Sequence, residues 1–518
     1  MDKKTVLAFA LSGLIIVGWQ LIFPPQPPTE QIIESAAQET KVADSVDTSS
    51  NNNAVQGLAN TVNSTSNTPV KVEKIKVDTD LIDVEFNSAT GNIVTAAIHG
   101  WKDEEGKYVR FNQGSDTDYA HINLGIQGID GNFTLTSIAK ENNEQKVIFT
   151  ASNGTYIVTK TYTLSNNSYL VKTQINITNN SGVNLNVPIS ISIGAGLGSG
   201  FGEASYDVFE GALINNGSTT EKVKLNKDSS EALTGADWIG YSSKYFLFAM
   251  LSNGVFSSSA ITPKGNNPLA SAQGNIAVNA GSTSSSQFDL FIGPKYYQEL
   301  KKVGHNLQKS MDFGWFYFLS IPMLYTLNYL YGVVHNYGIA IVILTIIIKI
   351  LTLPLTMKSM QSMKALSALQ PEVMKIRDKY KNDPQRLNQE TMKLYKDHNV
   401  NPLSGCLPLL LQIPIFFALY KALLLSLELK GAPFFGWIVD LSLKDPYFVT
   451  PVLMGVTMFI QQKMTPTTAD PIQQKIFLAM PVILTIVFIN FPAGLVIYWL
   501  TNNILSIIQQ YFVNKQNK

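Results

Sequence analysis

The sequence predicts a polytopic α-helical membrane protein with six spans, five of them forming a C-terminal helical core, and one large all-β sandwich domain placed between the first span and that core. Three observations predict it. Of 518 residues, 45% are hydrophobic and only 15% charged, against about 25% charged in an ordinary soluble domain. Charge is also divided: residues 24–305 carry 19 Lys and Arg against 27 Asp and Glu, a net of −8, whereas residues 306–518 carry 18 against 10, a net of +8. Finally, the apolar pattern changes along the chain from one unbroken run, through strict alternation, to several long runs.

The run 5–23 holds 19 residues without a charge behind Lys3 and Lys4, close to the roughly 20 apolar residues that a bilayer core of about 30 Å requires. No small-residue cleavage site follows it, only Pro24, Pro25, Pro27 and Pro28, so residues 1–23 read as an uncleaved anchor rather than a signal peptide. Residues 24–69 are rich in Pro, Gln, Ser, Thr and Asn and cannot bury enough apolar surface to order themselves. They read as a flexible linker.

From 70 to 310 the period becomes two. Val187, Ile189, Ile191 and Ile193 alternate with Pro188, Ser190 and Ser192, and Val171, Thr173, Ile175 and Ile177 alternate with more polar neighbours. Half-buried antiparallel strands give this pattern. Turn signals at Asn166-Asn167, Asn179-Asn180-Ser181-Gly182 and Asn215-Asn216-Gly217 separate the strands, as in a β-sandwich. A short helix is expected around 296–311. Residues 313–331 then hold eight aromatics, Trp315, Tyr325 and Tyr329 among them. Aromatics in that density mark the headgroup depth of a membrane, so 311–332 reads as an interfacial amphipathic helix.

Five apolar spans follow, at about 333–355, 407–427, 447–461 and, within 476–512, a pair. The last stretch is 37 residues long, about 55 Å as one helix at 1.5 Å per residue. Phe491-Pro492-Ala493-Gly494 near its middle divides it into two spans. The loop 356–404 carries nine Lys and Arg against five Asp and Glu, whereas 430–446 is balanced. The basic loop belongs in the cytoplasm by the positive-inside rule. Both termini are then cytoplasmic and the β-domain is periplasmic. Met360, Met363, Leu366 and Leu369 before Asn382-Asp383-Pro384, and Leu387, Met392 and Leu394 after it, give the loop the pattern of a helical hairpin.

Chemistry is sparse. The single cysteine, Cys406, permits no intramolecular disulfide and no cysteine-built zinc site. His99, His121, His305, His335 and His398 form no HExxH pair, there is no GxSxG, and Gly194-Ala195-Gly196-Leu197-Gly198-Ser199-Gly200 fits neither GxGxxG nor a P-loop. No catalytic residue, metal or cofactor is expected. Inside the span 333–355 stands one charge, Lys349, at an insertion cost of about 2.5–3.5 kcal/mol in mid-bilayer. It either snorkels its ammonium to the cytoplasmic headgroups or faces a wet groove. Glu428 and Asp470 lie at span edges or in loops, so a groove is the more economical reading. Thr345, Gln412, Thr485, Asn490, Asn502 and Asn503 add further polar groups within spans.

Several long motifs are similar to those of the YidC/Oxa family of membrane protein insertases. They are Asn401-Pro402-Leu403-Ser404-Gly405-Cys406-Leu407-Pro408, Gln412-Ile413-Pro414-Ile415-Phe416-Phe417-Ala418-Leu419-Tyr420, Pro451 to Met458, Gln461-Gln462-Lys463-Met464-Thr465-Pro466 and Phe491-Pro492-Ala493-Gly494-Leu495-Val496-Ile497-Tyr498-Trp499. The resemblance implies an inner-membrane insertase and chaperone, with 333–518 as its five-span core. It would act on nascent membrane proteins, alone or with the Sec translocon, with transient ribosome contact, in contact with membrane lipid and without binding nucleic acid as such. No bond would be made or broken. The resemblance also implies a hydrophilic groove closed to the periplasm, whose charge falls on Lys349 and whose lining falls on Thr345, Trp499 and Tyr498. An apolar client slide falls on Ile413, Phe416 and Val487. Lysine at 349 departs from the arginine usual in the family, keeping the charge and losing the planar fork of donors. Two alternatives of other classes are a secondary transporter, which would show internal repeats, and a membrane-anchored periplasmic carbohydrate-binding protein, since a β-domain fold alone decides no activity.

Overall fold

The computed structural model describes residues 73–515 apart from 103–105, 112–121, 130, 195–210, 225–229, 265–266, 402–406 and 466–470. The expected anchor 1–23, the linker 24–69, residues 195–200 of the glycine run, His121 and Cys406 lie outside the described residues. The chain divides into a β unit ending at Asp312 and a helical unit beginning at Phe313.

Among the described residues the β unit shows eighteen strands in three sheets of four, five and nine, with every pair antiparallel. The alternation in the sequence is its cause. In Leu185–Ile193 the residues Val187, Ile189, Ile191 and Ile193 are buried, and the intervening Pro188, Ser190 and Ser192 are not. All three turn signals fall between strands, after Ser165, Asn179 and Asn215. The nine- and five-stranded sheets pack face to face through Gly211–Asn215 and Trp238–Ser242 on one and Ser258–Lys264 and Asn267–Val278 on the other. A buried ammonium ties the layers at one point. Lys160 donates to Thr90 O, Asn92 Oδ1 and Leu124 O at 2.9–3.0 Å and lies 4.1 Å from the centre of the Phe133 ring. Three charge-assisted bonds are what make such burial tolerable. His99 is held between the Asp83 carboxylate at 2.7 Å and Asp80 O at 3.1 Å. The expected short helix appears as α1 (Tyr297–Val303), followed by a 3-10 turn at Leu307–Ser310.

The helical unit contains α2 (Tyr317–Val334), α3 (Tyr337–Ala368), α4 (Gln370–Lys379), α5 (Pro384–Asp397), α6 (Leu407–Leu425), α7 (Val449–Met464), α8 (Pro471–Phe488) and α9 (Ala493–Lys515). Among the described residues only α3 is both long and apolar enough to cross a membrane by length and composition, with shorter apolar stretches at Leu410–Leu425 and Phe477–Phe488. α2 buries Ser320, Met323, Leu324 and Leu327, at helical spacing, and turns Tyr317, Phe318, Tyr325 and Tyr329 outward.

One boundary differs from expectation. α3 does not stop near 355 but runs fourteen residues beyond Pro354, to Ala368. A proline removes one ladder bond and strains the preceding turn. Around it Thr352 donates its hydroxyl to Ile348 O and Lys349 O and Thr356 to Thr352 O and Leu353 O, so both hydroxyls are satisfied within the helix, while the carbonyl that loses its ladder donor is that of Ile350. The first arm of the predicted hairpin is therefore the end of α3 plus α4, and its second arm is α5, capped by Asp383 accepting from Arg386 N.

The first turns of α3 and α9 share one apolar core. Tyr337, Ala340, Ile341 and Leu344 pack with Ile415, Ala418 and Leu419 of α6, Met454 of α7 and Leu495 to Tyr498 of α9. The segment 430–448 lies over the N-terminal ends of these helices. It forms a bridge from Lys444 to Pro492, while Ala493 N donates to Leu443 O and Gly494 N to Leu441 O. Asp445 holds this segment. Its buried carboxylate accepts from Trp437 Nε1, Tyr447 N, Thr450 N and Thr450 Oγ1 at 2.7–3.0 Å, which also caps α7. Burial alone would raise its pKa, but the four donors outweigh burial and hold the carboxyl below its ordinary value.

Asp445→Asn keeps the shape and loses the charge, so it should lower stability by about 1–3 kcal/mol. A carboxyl with a lowered folded pKa contributes its full stabilisation above its unfolded value of about 3.9 and loses it only as pH falls through the folded value. Melting of wild type and variant in detergent should therefore differ by a constant amount from pH 8 to pH 5, with the gap closing only in stronger acid.

Candidate functional site

Below the apolar core the facing sides of α3 and α9 turn polar. On α3, Thr345, Lys349, Thr352, Thr356 and Ser359 recur at steps of four, three, four and three, which puts them on one face. On α9, Tyr498, Asn502, Ser506 and Gln509 do the same. The two stripes meet. Lys349 Nζ donates to Ser506 Oγ at 2.6 Å, and Gln509 Nε2 donates to Thr356 Oγ1 at 2.8 Å. Asn503, on the neighbouring side of α9, donates to Met454 O and Thr457 Oγ1 of α7, both at 3.3 Å. Gln412 of α6 donates to the Tyr498 hydroxyl at 2.6 Å.

Lys349 lies twelve residues into α3, about 18 Å along the helix from its N-terminal end. It is half-buried, and Ser506 is its hydrogen-bond partner among the described residues. An ammonium has three donors, so two remain for water or another acceptor. Gln509 Oε1 is buried without a hydrogen-bond partner among the described residues. An unfilled acceptor on α9 and an ammonium with two of its three donors free give the seam spare hydrogen-bonding capacity, which a dry apolar contact would lack.

The other expected site residues are placed as follows. Thr345 is 1% exposed and donates to Ile341 O, and Tyr498 is 1% exposed beneath Gln412. Both therefore sit where the apolar core meets the seam. Trp499 is half-buried and joins an aromatic cluster, with ring centres 4.9 Å from Phe416 and 5.1 Å from Phe488. Phe416 also stacks on Tyr420. Val487 is half-buried against the core, whereas Ile413 is 42% exposed on α6. The structure thus brings Phe416 and Trp499 together and leaves Ile413 on the outer surface of the unit.

Ser506, Gln509, Thr356 and Ser359 were missed. The signal was present as helical spacing, but Thr and Ser in an apolar run read as neutral filler unless both helices are aligned. A second charge stands in α6, within the span expected at 407–427: Lys421, with Nζ 6.0 Å from the centre of the Tyr420 ring.

A β-rich unit followed by a helical unit whose long apolar helices carry a lysine-bearing polar seam defines a membrane protein with a built interior. Residues 329–518 match the 60Kd inner membrane protein family, and residues 74–326 match the YidC periplasmic domain. The chain is similar to the membrane protein insertase YidC of Geotalea daltonii, at 37% identity over 99% of both chains, and to that of Syntrophus aciditrophicus, at 38% over 100% of both. It belongs to the YidC family and is an inner-membrane protein with a periplasmic β-domain.

The flank of α9 is set by how closely α7 and α8 approach. A Cβ at Gly455 would collide with Thr485 Oγ1 of α8, a hydroxyl already donating to Pro481 O. Gly455→Ala should lower the melting temperature by the equivalent of about 1–3 kcal/mol, as overpacking does. Thr485→Ala in the same chain should restore most of it, and the double-mutant comparison in detergent measures that coupling.

Proposed function

We propose that the chain is a membrane protein insertase that moves hydrophobic segments of nascent proteins into the inner membrane through the seam between α3 and α9. Family membership and the names of its relatives support the insertase reading. The observation that carries the mechanism is the change of character along α3 and α9, from a closed apolar core in their first turns to hydrogen-bonding groups with spare capacity further on. In this reading six spans cross the membrane, both termini lie in the cytoplasm, and the apolar core with segment 430–448 forms the periplasmic floor. The seam then opens toward the cytoplasm and lipid.

The mechanism is partial solvation. A polar or acidic flank entering hydrocarbon without partners meets its whole desolvation cost in one step. A seam offering an ammonium, hydroxyls and amides spreads that cost over several smaller steps. The apolar part of the client meanwhile leaves sideways along Ile413, Phe416 and Val487. The basic helices α4 and α5 receive the client on the cytoplasmic side, with the Sec translocon and the ribosome as partners. No bond is made or broken.

Two measurements test this. Lys349→Ala should impair clients with acidic translocated flanks more than matched neutral ones, and Lys349→Arg should be tolerated. A lysine that merely snorkels predicts neutral or improved behaviour, because its removal relieves an insertion cost of about 2.5–3.5 kcal/mol. Independently, a photo-crosslinker at Ile413 or Phe416 should capture a stalled client, and capture only at Leu453 on α7 would place the exit elsewhere.

A further inference from the structure

We propose that Ser506 is a positioning residue for the groove charge, fixing the ammonium of Lys349 in the seam and thereby setting the preference for acidic clients. The inference rests on the reading of Lys349 given above. Its own basis is the pair of bonds at the Ser506 hydroxyl. The single hydroxyl proton is used: Ser506 Oγ donates to Asn502 O, one turn back, at 2.7 Å. A hydroxyl has one donor and two acceptor sites. With its rotor fixed by Asn502 O, its lone pairs face α3, where they accept from Lys349 Nζ at 2.6 Å. A serine with a free rotor could instead present its own proton to the ammonium.

The partner's chemistry matters. A carboxylate at 506 would neutralise Lys349 and compete with an acidic client for it. A hydroxyl holds the ammonium without cancelling its charge and occupies only one of three donors. The other two stay available to a client carboxylate, which can bind without displacing Ser506. Holding also counters a specific alternative. Lysine has a long flexible stem, and in an apolar helix that stem carries the charge toward the headgroups. α3 continues past Pro354 to Ala368, so the cytoplasmic end of the helix offers no nearby loop to block that escape. Ser506, one helix away, is what ties the charge at its level. The planar fork of an arginine would span more of the seam unaided, so the lysine has more need of an external anchor.

The test uses the full chain in proteoliposomes and two single-span clients that differ only in acidic or neutral translocated flanks. The quantity read is the ratio of acidic to neutral insertion, measured by protease protection at equal insertase level. Ser506→Ala should lower that ratio about threefold or more, the low end of what losing one net hydrogen bond does. Ser506→Thr keeps the acceptor and the bond to the residue one turn back, and should restore the ratio. Ser506→Cys is close in size with a weak acceptor and should fall between them, which keeps the test open if the alanine variant folds poorly. In a Lys349→Ala background, Ser506→Ala should produce no further change in the ratio. If Ser506→Ala lowers both clients equally, or leaves the ratio untouched while Lys349→Ala changes it, the positioning role is wrong and the groove charge stands. If Lys349→Ala itself leaves the ratio untouched, the groove reading fails and the positioning role with it.

Discussion

The helical unit depends on one constraint: a polar group inside an apolar bundle must find its partners within that bundle. The contact between α3 and α9 is where this chain meets the constraint. In their first turns the two helices present Ile341, Leu344, Leu495 and Val496 and pack as an ordinary core. About one to four turns further, the same faces carry Lys349, Thr356, Ser506 and Gln509, joined across the gap by two hydrogen bonds. α7 and α6 close the sides through Asn503 and Gln412. What distinguishes the seam from a sealed polar layer is that its partners do not use all of its donors and acceptors. A fully satisfied network would bind the helices together and offer nothing to an incoming chain.

The end held by segment 430–448 is built differently. Segment 430–448 is tied by backbone bonds to the first turn of α9 and pinned by the four donors to Asp445. A capped carboxylate of this kind is rigid. Glu428, just after α6, contrasts with it: burial raises its pKa, and its own backbone N–H together with Asn328, donating at 3.4 Å, only partly offsets that. The two carboxyls have opposite shifts because four donors outweigh burial at Asp445 and two do not at Glu428.

Much of this was legible in the sequence. The strands at 170–193 followed from period two, and the division of the last apolar stretch at Phe491 to Gly494 fell where α8 ends and α9 begins. Less legible was the end of α3. A proline is a common helix boundary by local rules, yet α3 continues through Pro354 to Ala368, and nothing in the local sequence announces it. Half of the seam was equally hidden. Lys349 is conspicuous as a charge among isoleucines, but Ser506 and Gln509 acquire meaning only when α9 is set beside α3, and no local property of either helix supplies that alignment. The same blindness let Lys421 pass as part of an apolar run.

The central claim is that the seam is wet from one side and sealed from the other. Single cysteines placed at Thr352, Asn502 and Gln509, in a chain whose native Cys406 is replaced by alanine, measure this directly through their rate of reaction with a membrane-impermeant maleimide. In sealed inverted vesicles, with the cytoplasmic face outward, these three positions should react rapidly. Cysteines at Leu344 and Val496 in the apolar core should not react from either face. Seam positions as unreactive as the core, or reactive only from the periplasmic face, would contradict it.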